Sequence, residues 1–242
     1  MKGLTNETST GRTSFQNSSG QGKWNIHPAF NYGQTVSGIW VAKFEASNSG
    51  GKIKVEPGVS SWRSITVNDI YTNCLNYNKT LNSHMMKNDE WGAVAYLSKS
   101  KYGKNAEVTI NDNSSYYTGG GSGNAYVTNV GQSTTGTVHG VYDMSGGAWE
   151  YVAAYVNNGN SSLTSYGSSL VNGDAVYETS ANGNTSNGSW YGDYSYFPNT
   201  SIPFFKHGGH YNNGTNAGVF FFGSDYGNDY SLSSFRPVLI VI

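Results

Sequence analysis

The sequence predicts an α+β fold with two helices, an irregular and mostly antiparallel sheet, and long loops. Three features carry that expectation. Apolar residues recur at helical spacing twice in the first half of the chain, short apolar stretches of strand length follow, and glycine and asparagine turn signals separate them. The 242 residues include 6 Trp, 10 Phe and 19 Tyr, more aromatic area than a chain that never buries it would carry. Only 12% are charged while 32 are Gly, so amides and hydroxyls solvate the surface, as suits a loop-rich fold.

Residues 1–22 are almost entirely Ser, Thr, Asn, Gln and Gly, the composition of a flexible tether. From residue 23 to 242 no repeat or second composition boundary interrupts the chain, which favours one domain. Ser37 to Ala46 carries Ile39, Trp40, Val41, Ala42 and Phe44 in a nearly continuous apolar run, the pattern of a mid-sheet strand buried on both faces. Val67, Ile70, Tyr71, Cys74 and Leu75 then fall at helical spacing behind Thr66 and Asp69, which resemble a capping box. A second helix is expected from Asn88, ending by Gly103, with Asp89 and Glu90 at its positive end and Trp91, Val94 and Ala95 facing inward. Beyond it lie Gly119 to Gly121 and Asn-Gly pairs at Asn158, Asn172, Asn182, Asn187 and Asn213, between the apolar stretches Val138 to Met144, Trp149 to Tyr155, Val219 to Phe222 and Phe235 to Ile242. Helices are expected to be scarce there.

Composition excludes several functions. With 14 Lys and Arg against 15 Asp and Glu, no long-range field steers the chain to phosphate backbones, and nucleic acid is not an expected partner. A single cysteine, Cys74, rules out an internal disulfide framework and a cysteine-based zinc site. No apolar run approaches the roughly 20 residues of a membrane span, so no membrane insertion is expected. The polar start has no signal-peptide pattern, which places any export signal outside this chain.

Gly140-Val-Tyr-Asp-Met-Ser-Gly-Gly-Ala-Trp-Glu150 resembles the Gly-Asn-x-Trp-Glu signature of the formylglycine-generating enzyme superfamily. Phe205-Lys-His-Gly-Gly209 is similar to that family's Arg-Gly-Gly-Ser-Trp element, and Ser234-Phe-Arg-Pro-Val-Leu239 to its terminal Gly-Phe-Arg element, in the same order. Gly38 to Glu45 and Met86 to Ala95 add similarity to a branch common in phages and gut bacteria. The resemblance covers nearly all of the chain after residue 22 and implies an elaborated C-type-lectin-like fold. The family's enzymes hold copper on two cysteines just before the terminal element. This chain has none there, and Cys74 reads as a buried structural thiol, so formylglycine generation and copper are not expected. An iron-binding branch uses histidines, but His27, His84, His139, His207 and His210 form no ligand pattern, and iron is not expected either. The signature loop does imply a structural calcium site, with side chains of Asp143 and Glu150 and the carbonyls of Gly146 and Ala148 as ligands. Gly147 departs from the family's usual Asn. The alternative is a plain turn with Glu150 in an ion pair. Trp149 and Tyr151 beside it read as core aromatics rather than a sugar platform.

Between Gly208 and Phe235 two sorts of residue alternate. Gly208, Gly209, Ala217, Gly218, Val219, Phe220, Phe222, Gly227, Phe235 and Arg236 read as scaffold. His210, Asn212, Asn213, Phe221, Gly223, Ser224, Asp225, Tyr226, Asn228, Asp229, Tyr230, Ser231 and Leu232 form an array whose residue types all arise from an AAC codon by changing its adenines. That array resembles the variable proteins of diversity-generating retroelements. The resemblance implies a non-catalytic receptor-binding protein or adhesin, on a cell surface or virion, whose partner is a protein or glycan. Tyr and Phe supply rigid contact area while Ser, Asn, Asp and His supply adaptable hydrogen bonds, and strand alternation around Phe221 is expected to expose at least one large ring. The alternatives are an Asn- and Tyr-rich loop without variation, a metal-dependent oxidoreductase of the same superfamily, and a structural phage or pilus decoration.

Overall fold

The structure, a computed structural model, describes residues 14–16, 23–25, 27–32, 36–157, 159–173, 179–181 and 192–241. In chain order its elements are β1 (Ser14–Gln16), β2 (Lys23–Asn25), β3 (Gly38–Val41), β4 (Ser47–Ser49), β5 (Lys52–Lys54), α1 (Val67–Tyr77), β6 (His84–Met85) and α2 (Asn88–Lys99). There follow β7 (Trp149–Val156), α3 (Ser161–Val171), β8 (Thr179–Ala181), β9 (Phe204–Gly208), β10 (Gly218–Asp225), β11 (Ser233–Ser234) and β12 (Pro237–Val241). Among the described residues this is a mixed α+β arrangement of three α-helices and several small, mostly antiparallel sheets.

The largest sheet runs β10-β9-β7-β11, with β8 also against β7. β9 is antiparallel to both neighbours, whereas β11 and β8 pair parallel with β7. Alternation along β7 explains why it is apolar throughout: Val152, Ala154 and Val156 enter one core, and Tyr151, Ala153 and Tyr155 the other. The first core packs Trp91, Val94 and Ala95 of α2 against Phe205 and Val219. The second packs Ile70, Tyr71 and Cys74 of α1 and Leu163 and Leu170 of α3 against Phe204. The sheet is thus a layer covered by helices on both faces, which leaves the loops at its ends to meet solvent.

α1 and α2 begin where the capping signals put them. Thr66 accepts the Asp69 N–H at 3.2 Å, and the Glu90 carboxylate accepts the Lys87 N–H at 2.8 Å. α3 departs from the expectation that helices would be scarce after residue 103. Its Ser-rich sequence hides a two-residue apolar stripe, Leu163 and Leu170, behind the N-cap Asn160, and a kink at Gly167 weakens the periodicity further. Gly167 is there for packing: a Cβ would lie 2.4 Å from the Phe204 ring.

Two more expectations are corrected. The Ser37 to Ala46 run is not a mid-sheet strand; only Gly38–Val41 is extended, on the edge of the sheet β3-β12-β6, with Trp40 65% exposed. β12 takes the centre because both of its edges are paired, so apolar continuity in 37–46 reflects separate destinations: Ile39 in the first core, Phe44 against Tyr126 and Tyr142. Residues 138–144 form no strand. Strand β1 falls within the stretch read as a tether, in antiparallel register with β2 that sets Phe15 opposite Trp24, residue types that favour extended chain. Among the described residues no helix is long and apolar enough to cross a membrane.

Candidate functional site

The C-terminal array is built on a backbone held through its carbonyl oxygens. Gly227 O accepts from the N–H of Val67 (2.9 Å), Asn228 O from the Tyr151 hydroxyl (3.3 Å) and Tyr230 O from the Ser64 N–H (3.3 Å). Ser231 O accepts from Arg63 Nη1 (2.6 Å) and Leu232 O from the Trp149 N–H (2.9 Å). β11 then joins β7 at Trp149 and Glu150. All five donors belong to α1, the loop before it, or β7. None of the carbonyls depends on which side chain its own residue carries. Tyr226 (49% exposed), Asp229, Tyr230 (38%) and Ser231 face solvent and Asn228 and Leu232 are half-buried. The side chains of Tyr226, Asn228, Asp229, Tyr230 and Ser231 make no hydrogen bond to another described residue.

Rings join this loop to the one after β9. Tyr230 stacks on Trp149 with centroids 5.9 Å apart and planes 19° from parallel, and His210 meets Trp149 edge-on at 4.5 Å. Tyr211 contacts His210, Tyr116 contacts Tyr211, and the Arg63 guanidinium lies 3.8 Å from the centre of the Tyr116 ring. Behind Trp149, the Lys206 ammonium sits 3.6 Å from its ring and pairs with Asp225 at 2.7 Å. Burial pulls the Lys206 pKa down and Asp225 opposes it. Asn212 is exposed, whereas Asn213 is used locally, its Oδ1 accepting the His210 N–H at 2.7 Å. Asp229 lines a cleft of about 350 Å³ with Trp62, Ser64, Thr66, Asp69 and Asn73.

The structure therefore brings His210, Asn212, Tyr226, Asn228, Asp229, Tyr230 and Ser231 to the surface, and turns other members of the array inward. Phe221, expected to expose its ring, is 4% exposed. Alternation does separate it from Phe220 and Phe222, but residues 192–197 run beside β10 and cover that side, with Tyr194 against Phe221 at 5.7 Å. Phe220 and Phe222 are the half-buried pair, against Tyr96 and Phe197. Gly223 and Asp225 are buried and Ser224 is half-buried. The other residues read as scaffold are all buried. Trp149, expected in the core beside the fully buried Tyr151, is half-buried and part of the surface. Arg63 and Tyr116 carried no sequence signal and Lys206 only its place in the Phe205 to Gly209 element, because they reach the array only through the tertiary fold.

The covering segment titrates. Asp193 Oδ2 accepts the Phe220 N–H at 2.8 Å, and burial raises its pKa to about 6, against the pull of that hydrogen bond. A raised folded-state pKa stabilises the fold fully below the ordinary value of 3.8 and loses that contribution as pH rises through about 6. Asp193→Asn keeps the acceptor without the charge. Its melting temperature should gain on the parent chain at pH 8 but not at pH 4; a gain independent of pH would show that ionisation is not what matters.

The residues implied for calcium do not fit a cation. Arg236 donates to both oxygens of Glu150, through Nε at 2.7 Å and through Nη2. Asp143 accepts from Gly119 N and Asn111 Nδ2, each at 2.9 Å. Glu45 also faces this group and accepts the Ala148 N–H at 2.9 Å; burial, with Asp143 and Glu150 nearby, raises its pKa well above the carboxylate range. The guanidinium supplies the positive charge that calcium would, so the ion-pair alternative is the one the structure holds. Among the described residues no group of three or more His, Cys, Asp or Glu is placed to hold a metal. His207 points inward, between the Phe221 carbonyl (2.9 Å) and Asn88 (2.6 Å), and burial lowers its pKa to about 4, whereas His210 lies at the surface. No protein-family model matches the chain, and comparison with curated proteins finds no match.

Proposed function

We propose that this chain is a non-catalytic ligand-binding protein, a receptor-binding protein or adhesin. In this reading it has a C-type-lectin-like fold of the formylglycine-generating enzyme type, and its C-terminal surface is diversified by a retroelement. It works outside the cell, on a cell surface or virion, against a protein or glycan. One observation carries the reading: the loop from Gly227 to Leu232 is fastened by five carbonyls to donors elsewhere, so its side chains can change while its path does not. That is the property a variable contact surface needs, since ordering a mobile loop on each encounter would cost affinity. Burial of Phe221, Gly223 and Asp225 narrows the surface to the loops 210–213 and 226–232.

Gene sequences from sibling strains test this. Substitutions confined to adenine-derived codons at the exposed array positions, beside a reverse-transcriptase gene and a near-repeat of the 3′ segment, are expected; changes scattered over the chain would reject diversification. In the protein, replacing Tyr226, Asp229 and Tyr230 together with Ala should weaken capture of ligand from a panel of arrayed glycans and purified surface proteins by roughly tenfold or more, as loss of aromatic anchors does. Melting should move little, because exposed positions contribute within about 0.5 kcal/mol each. A large fall in melting temperature would assign these residues to the core instead.

A further inference from the structure

We propose that Arg63 gives this surface a fixed recognition point for a carboxylate, an Asp or Glu side chain of a protein ligand. The inference rests on the binding reading above and adds to it a residue outside the variable array. Arg63 spends one of its five N–H donors on a described residue, the Ser231 carbonyl at 2.6 Å. Its Nε is buried without an acceptor, and no described carboxylate lies within ion-pair distance of the guanidinium. Trp149 Nε1 is a second buried donor without an acceptor, in the same band of rings. Lys206 differs, being neutralised by Asp225. The band therefore holds unspent donors and one uncompensated cation, a combination that a partner's oxyanion would complete.

The guanidinium's setting favours a carboxylate. Held over Tyr116 with its Cζ 3.8 Å from the ring centre, it is placed before binding, and its planar fork matches the two oxygens of a carboxylate. Arg and Tyr side by side are the residue types that dominate protein–protein hot spots.

NMR titration of the full chain tests this, following the Arg63 Nε–H and Tyr116 ring signals. The probes are N-acetylglutamate N-methylamide, its glutamine counterpart, and glucuronate. Saturable shifts with the glutamate probe are expected at a midpoint roughly tenfold below that of the glutamine probe. They should vanish in Arg63→Met and weaken in Arg63→Lys, which keeps the charge but loses the fork. Arg63→Met also loses the bond to Ser231, yet a purely structural Arg63 would give no preference for carboxylate over amide in the parent chain. Equal midpoints, or an unchanged response in Arg63→Met, overturn the proposal; tighter binding of glucuronate overturns the assignment to a protein ligand. Absent selectivity with array-confined gene variation overturns the role of Arg63 alone, whereas scattered variation overturns the binding reading.

Discussion

Arg236→Met should remove a large share of the stability of this fold, about 3–5 kcal/mol, because it strips the counter-charge from a buried carboxylate. Arg236 is fully buried and donates to both oxygens of Glu150, to Ala42 O at 2.9 Å and to Tyr142 O at 3.0 Å. Asp143 and Glu45 also contribute to its electrostatic environment. Met fills similar volume but leaves Glu150 buried with no partner and two carbonyls without a donor. Set against a typical stability of about 5–15 kcal/mol, the loss should appear as a fall of about 10 °C or more in melting temperature or as insoluble protein. Adding Glu150→Gln should recover part of it by removing the stranded charge. An Arg236→Met chain that melts with the parent would mean the pair is not a structural requirement.

Trp91→Ala should cost about 3–5 kcal/mol through the cavity it opens. The indole is among the largest fully buried side chains; it stacks on His207 with centroids 5.0 Å apart and donates from Nε1 to Val219 O at 2.8 Å. It thereby ties α2 to β9 and β10, the strands between which the loop 210–213 is carried. Trp91→Phe keeps most of the packing and loses the donor, at about 1–3 kcal/mol. Thermal melting should rank Ala well below Phe. Equal losses would show that the hydrogen bond, not the ring volume, is what counts.

Much of the fold was legible because its signals are local. α1 and α2 announce themselves through caps and a single inner stripe, since Thr66, Asp69 and Glu90 act within one turn of the chain. α3 did not, because its apolar stripe is only Leu163 and Leu170 and its glycine is explained by Phe204, far away in sequence. The ion pair on Glu150 was out of reach for the same kind of reason. Asp143 and Glu150 do lie close together, but the Arg236 that pairs with Glu150 comes from a distant part of the chain. Alternation separates Phe221 from its strand neighbours but fixes a direction and not what covers it, and Tyr194 lies against its buried ring.

The sequence by itself determined the mixed α+β class, two of the three α-helices among the described residues, and the apolar stretches Trp149 to Tyr155 and Val219 to Phe222 that fall within strands. Side-chain periodicity and capping depend on neighbours a few residues apart, and these are written along the chain. Only the tertiary structure decided which members of the array reach solvent, and that Arg63, Tyr116 and Trp149 stand beside them. It also decided that the loop hangs from its carbonyls, because the donors come from residues up to 168 positions away, brought near by burial of the two cores.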